Sequence, residues 1–203
     1  MTLHLVIDCE TTGLFDYHKP ADADGQPRLC QIGMIWLDDE LKTVREEEWM
    51  IRPTDWKLTE EAEKVNGLTQ ELLEEKGITV NIPLRHYLNA IDDKHVIVAF
   101  NVDYDVKIMR AELRRARFVD RYMQTRTLCV MRGCRDIVGA KTEAGRIKMP
   151  SLVEACGYFG LDLEPVPHRA LGGARAALEI LRKLREAGQM PAYRDPYDKT
   201  KYR

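Results

Sequence analysis

The sequence predicts an α/β domain in which a mixed sheet, an antiparallel hairpin plus parallel strands, is flanked by helices. Three observations carry that prediction. Apolar, β-branched runs stand first, at residues 3–9, 29–37 and 44–51. Segments of helical period then alternate with a further apolar run at 95–100. Strands first and then alternating helix and strand is the pattern of a sheet covered by helices.

The first run, Leu3-His4-Leu5-Val6-Ile7, is short and closed by Thr11-Thr12-Gly13, so it reads as a buried strand. The polar stretch from Phe15 to Arg28 carries Pro20, Gly25 and Pro27 and reads as an exposed loop. The second and third runs are separated by Asp38-Asp39, a tight turn that predicts an antiparallel hairpin. Thr59 with Glu60 and Glu61 opens a helix that Gly67 stops, and Thr69 to Lys76 gives another. Residues 82–92 give a third. Asn101 is a candidate N-cap after the 95–100 run, followed by Val102, Val106, Met109, Leu113 and Ala116 at helical spacing. Ser151 and Glu154 form a capping box, and the last long helix runs from Leu171 to Ala187. The reading is one domain over residues 1–188 and a C-terminal tail at 189–203 without periodicity, either an arm or a disordered segment.

The 203 residues, 44% hydrophobic and 32% charged, are those of an ordinary globular protein. A net charge of -2 excludes a generally basic nucleic-acid coat but not a local basic track. No apolar run approaches the ~18 residues of a membrane span, and no signal-peptide pattern opens the chain. Five scattered cysteines without a CxxC pair favour reduced thiols and a cytoplasmic setting.

Asp8 and Glu10 are two positions apart at the tail of the first strand, so both carboxylates project from one face. Two desolvated carboxylates side by side repel, and a divalent metal is the usual answer. Cys9 between them points to the other face. Asp105 sits in the first turn of the helix after Asn101, where the macrodipole also favours an acid.

Three ordered motifs resemble those of the DEDDh (DnaQ-like) 3′→5′ exonucleases, the group of the bacterial polymerase III proofreading subunit. Asp8-x-Glu10-Thr11-Thr12-Gly13 is similar to the first, Asn101-x-x-Tyr104-Asp105 to the second and His168-Arg169-Ala170-Leu171 to the opening of the third. The stretch from Leu58 to Thr69 is similar to a family segment between the first two motifs. The resemblance implies a ribonuclease H-like fold and two-metal phosphodiester hydrolysis with two Mg²⁺ or Mn²⁺ ions. It implies Asp8, Glu10 and Asp105 as metal ligands, hard oxygen donors for hard cations. It implies His168 as general base, with an unperturbed pKa suited to neutral-pH transfer. Thr11, Thr12, Gly13, Leu14 and Asn101 would contact the terminal nucleotide.

The pattern breaks at one position. The family's fourth metal-binding acid follows the histidine by five residues, and here that residue is Gly173. Loss of that carboxylate predicts a weakened nucleophile-side metal and a slowed or inactive enzyme. Phe100, where many relatives carry histidine, is expected to matter little. Lys107, Arg110, Arg114 and Arg117 form a basic stripe on the Asp105 helix that could follow the phosphates of a single strand, and Arg169 is a further phosphate-contact candidate. Trp36, Trp49 and Trp56 read as packing residues.

The partners implied are 3′ ends of single-stranded DNA or RNA, with a polymerase or a second copy of the chain as protein partners and no membrane. Two alternatives stay open on the same fold. One is a weak or inactive module that holds nucleic acid or protein, and the other a metal-dependent phosphatase-like enzyme on small nucleotides.

Overall fold

The computed structural model describes residues 2–162 and 169–195. Its sheet has five strands in the order β3-β2-β1-β4-β5: β1 (His4–Thr11), β2 (Leu29–Leu37), β3 (Thr43–Met50), β4 (Val96–Ala99) and β5 (Thr127–Cys129). β1 pairs antiparallel with β2 and parallel with β4, so it occupies the middle of a mixed sheet. The β2–β3 hairpin is antiparallel as expected, and the Asp38 carboxylate accepts from the Glu40 and Lys42 amides at 2.9 and 2.8 Å to close its turn.

Seven helices surround this sheet among the described residues: α1 (Glu60–Asn66), α2 (Gln70–Lys76), α3 (Asn81–Asp92), α4 (Val102–Arg115), α5 (Val130–Val138), α6 (Leu152–Phe159) and α7 (Ala170–Glu186). Three helix starts follow the chemistry read from the sequence. Thr59 and Thr69 accept from Ala62 and Leu72 amides, and Ser151 with Glu154 makes both hydrogen bonds of the capping box. Asn101 precedes α4 as expected, but its side chain makes no capping hydrogen bond. The strand β5 and helix α5 have no counterpart in the sequence reading. β5 has three residues, too few for a period-2 signal, and it exists because it pairs with β4.

Alternation along β1 divides the core. Leu5, Ile7 and Cys9 face one side with Leu84 and Tyr87 of α3 and Val106, Met109 and Leu113 of α4. Val6 faces the other with Leu178 and Leu181 of α7. Cys9 thus opposes its acidic neighbours' face, as period 2 requires. The first part of the 189–203 tail is tied to the sheet edge: Arg194 and Thr127 exchange main-chain hydrogen bonds of 2.8 and 2.9 Å, and the Tyr193 hydroxyl meets His4 Nε2 at 3.1 Å. The remainder of the tail, 196–203, lies outside the described residues. No described helix is long and apolar enough to cross a membrane.

Candidate active site

The end of β1 brings Asp8 and Glu10 to the α7 side of the sheet. Both carboxyls are pushed up from the ordinary acid range, Asp8 to about 7 by burial, and Glu10 to about 8 by burial and then by the Asp8 and Glu48 charges. Asp105, 4% exposed, comes from the first turn of α4. Its carboxyl is raised by burial first and by Asp8 second, against a smaller lowering from Cys9. No cation stands among the leading causes for any of the three in the described residues. Asp8 is thus the acid that the other two share as a neighbour.

The first turn of α7 closes the site from above, and two glycines set how close it comes. Gly33 on β2 is in register with both Asp8 on β1 and Glu48 on β3. A β-carbon on Gly33 would lie 2.5 Å from the Leu171 amide nitrogen and 2.6 Å from the Ala170 carbonyl carbon, so only glycine admits the helix there. Gly173 faces the opposite way. A β-carbon on it would overlap Asp8 Oδ2 and stand 2.7 Å from Asp8 Cγ. Two sheet residues hold this turn by its free amides: Gln31 Oε1 accepts from Ala170 at 3.1 Å and Glu48 Oε1 from Leu171 at 3.0 Å.

The loop after β1 is fastened to α4. The Tyr104 hydroxyl donates to the Gly13 carbonyl at 2.7 Å and meets Thr11 Oγ1 at 2.7 Å. Thr12 Oγ1 accepts from the Arg28 amide at 2.9 Å, and Asn66 Nδ2 donates to the Thr11 carbonyl at 3.3 Å. Leu14, next in the chain, is 85% exposed. Asn101 is exposed, and its carbonyl accepts from the Tyr104 and Asp105 amides.

His168 lies outside the described residues. Arg169, expected to contact phosphate, is 3.7 Å from Glu48. The basic stripe is rearranged relative to the sequence reading. Arg117 falls beyond the end of α4 with φ +58°, and Lys107, Arg110 and Arg114 lie roughly 140–200° around the axis from Asp105. Trp36 and Trp49 pack about His86 as expected, with Trp49 stacked on its ring at 5.1 Å.

Sequence reasoning missed Gln31, Glu48 and the Tyr104 hydroxyl. Gln31 is legible in hindsight as a fully polar side chain inside the apolar run Leu29–Leu37, since such a residue needs a partner. Its Nε2 is buried without a hydrogen-bond partner among the described residues. Glu48 lies within an acidic run that resembles a solvated edge.

The donor set, three carboxylates raised by desolvation, suits a hard divalent ion. Among the described residues no three His, Cys, Asp or Glu side chains are gathered tightly enough to hold one as they stand. The Asp8 carboxylate lies in the space that a side chain at position 173 would take.

Comparison with known proteins agrees with this architecture. The chain superposes on Escherichia coli exonuclease I bound to a dT13 oligonucleotide with a TM-score of 0.75 and 18% identity, over 91% of this chain and 41% of that one. Exonuclease I of Methylocaldum szegediense gives 0.74 and 19%, over 92% and 41%. A 3′-exonuclease that recognises the histone mRNA stem-loop gives 0.72 and 12%, over 93% of this chain and 84% of that one. The chain thus spans about two-fifths of exonuclease I. No curated protein sequence matches it. The family model described as exonuclease, RNase_T, matches residues 5–181, from the first strand through most of α7. With its motifs, its mixed sheet and a match over most of its length, the chain belongs to the RNase T exonuclease family.

Proposed function

We propose that this chain is a metal-dependent 3′→5′ exonuclease that removes nucleotides from the 3′ ends of single-stranded nucleic acid, slowed by glycine at position 173. The observation that carries the reading is a trio of desolvated carboxylates at the end of the central strand and the start of α4, in which Asp8 repels both Glu10 and Asp105. Such an arrangement is costly in an uncharged core and is relieved by divalent cations. Asp8, Glu10 and Asp105 would hold them. Divalent ions bound there supply Lewis-acid polarisation of the phosphate and a more acidic water.

The other residues bind and orient. The loop Thr11–Leu14, braced by Tyr104, would seat the terminal nucleotide, with Leu14 exposed to meet a base. His168 would take the proton of the attacking water. Exonuclease I is bound to a dT13 oligonucleotide and the histone-mRNA enzyme recognises a 3′ end, which supports that substrate class for this chain. A cytoplasmic setting accords with five cysteines that are all free thiols.

A second reading has its own support. The Asp8 carboxylate fills the place of the missing fourth ligand, which favours a module that holds 3′ ends and cleaves them little. The test joins product analysis to calorimetry. With Mn²⁺, a 3′-end-labelled single strand should release labelled 5′-mononucleotide first, and Asp8→Ala should abolish both this release and the heat of Mn²⁺ binding. Mn²⁺ binding unchanged by Asp8→Ala would refute the assignment of the site.

A further inference from the structure

A second charged feature lies on the far side of α4 from the acids. Lys107, Arg110 and Arg114, with Asp103, Ala21 and Tyr122, line a cavity of about 320 Å³, room enough for one nucleotide. These cations stand roughly 140–200° around the helix from Asp105. They form a separate surface.

Their present partners show what the surface can take. Lys107 has no carboxylate among the described residues; its ammonium rests over the rings of Phe15 and Tyr17 at 4.3 and 4.0 Å. Arg110 binds Asp120 at 2.8 Å and lies over the Tyr122 ring at 4.3 Å. Arg114 reaches Asp22 and Asp120 at 3.4 and 3.7 Å, distances of loose, half-exposed pairs. Lys107 and Arg114, which can exchange weak partners for phosphate beside aromatic faces on which bases stack, have the chemistry of a single-strand track. Tyr17 is 76% exposed, its ring carrying Lys107 on one side.

The loop after β1 joins the two places. Its first residues, Thr11 to Gly13, are bound by Tyr104 at the acids, and its next, Phe15 and Tyr17, lie against Lys107. A strand whose 3′ end sits at Asp8 and which crosses this loop arrives in the cavity. Lys107 and Arg114 are seven positions apart on one helix, roughly 10 Å along its axis. We infer that the α4 cavity is an upstream exosite that grips the sugar-phosphate backbone of the substrate strand some nucleotides from its 3′ end. This rests on the exonuclease reading above only for the direction of the strand.

The exosite makes affinity depend on strand length. Fluorescence anisotropy in EDTA, where nothing is hydrolysed, tests it with a 5′-labelled single-stranded 20-mer and a trinucleotide. In Lys107→Gln/Arg114→Gln, both half-exposed positions, the Kd for the 20-mer should rise at least fivefold. The slope of log affinity against log salt should become shallower by about 1.4, the value for two lost phosphate contacts on a single strand. The trinucleotide should lose much less. A 20-mer Kd and slope equal to the parent's, or an equal loss for the trinucleotide, overturns the exosite. Release of the 20-mer by millimolar dTMP in the parent but not in the variant would make the cavity a mononucleotide site, and would also overturn it. Failure of the exonuclease reading is a different observation, absence of hydrolysis with Mn²⁺, and leaves this binding result to stand by itself.

Discussion

Gly173 and Asp8 face each other so closely that the carboxylate of one occupies the space of the other's absent side chain: a β-carbon on Gly173 would stand 2.7 Å from Asp8 Cγ. The contact gives the glycine a packing role as well as a chemical consequence. Helix propensity alone says that alanine at 173 should add about 1 kcal/mol. The contact says the reverse. Gly173→Ala should lower stability by about 1–3 kcal/mol, the cost of overfilling a packed site, in urea denaturation followed by circular dichroism. A gain of stability would show that the Asp8 carboxylate turns aside at little cost and that the glycine has no packing role.

Gly33→Ala should be the more damaging glycine substitution. The atoms in its way are main chain of α7, at 2.5 and 2.6 Å, and cannot rotate aside as a carboxylate can. The same denaturation series should rank it below Gly173→Ala. The reverse order would mean that α7 does not rest on Gly33.

The three desolvated acids predict an inverted response to pH in metal-free protein. Their folded pKa values are raised, so the folded state holds protons that the unfolded chain releases. Their contribution is fully present below the unfolded carboxylate range near 4 and is lost as pH rises through about 7 to 8. Stability in EDTA should therefore fall between pH 5 and pH 8.5. Asp8→Asn should flatten that fall. A slope unaltered by Asp8→Asn would count against the burial of this charge.

Tyr104→Phe removes two hydrogen bonds of 2.7 Å and leaves the ring against Phe15. Stability should drop by about 1 kcal/mol. Under the proposed activity, the loosened Thr11–Gly13 loop should raise KM several-fold with a smaller change in kcat. A fall in kcat at constant KM would place Tyr104 in the chemistry instead of in nucleotide seating.

Much of this was legible in the sequence because the controlling forces are local. The β2–β3 hairpin follows from Asp38-Asp39, α1 from Thr59 and Gly67, and α6 from Ser151 and Glu154; each is decided by neighbours within a few residues. The acid pair follows from the period of a strand. What escaped depends on distant partners. β5 needs β4, Glu48 acquires its role from an α7 amide 123 residues away, and the Tyr104 hydroxyl finds Gly13 across 91 residues. The basic stripe was seen, but its side of α4 follows from which face the core buries, and Arg117 leaves the helix before it can join. Gly173 was read as a missing ligand; that it also brings α7 onto Asp8 needed the fold.

The most direct test is digestion of a single-stranded oligonucleotide with Mn²⁺ by the chain as it stands and by Gly173→Asp. The substitution asks the Asp8 carboxylate to turn aside and adds the fourth oxygen donor. Shortening from the 3′ end at least tenfold faster in Gly173→Asp than in the parent is the predicted result. Digestion of neither DNA nor RNA by either protein would contradict the account.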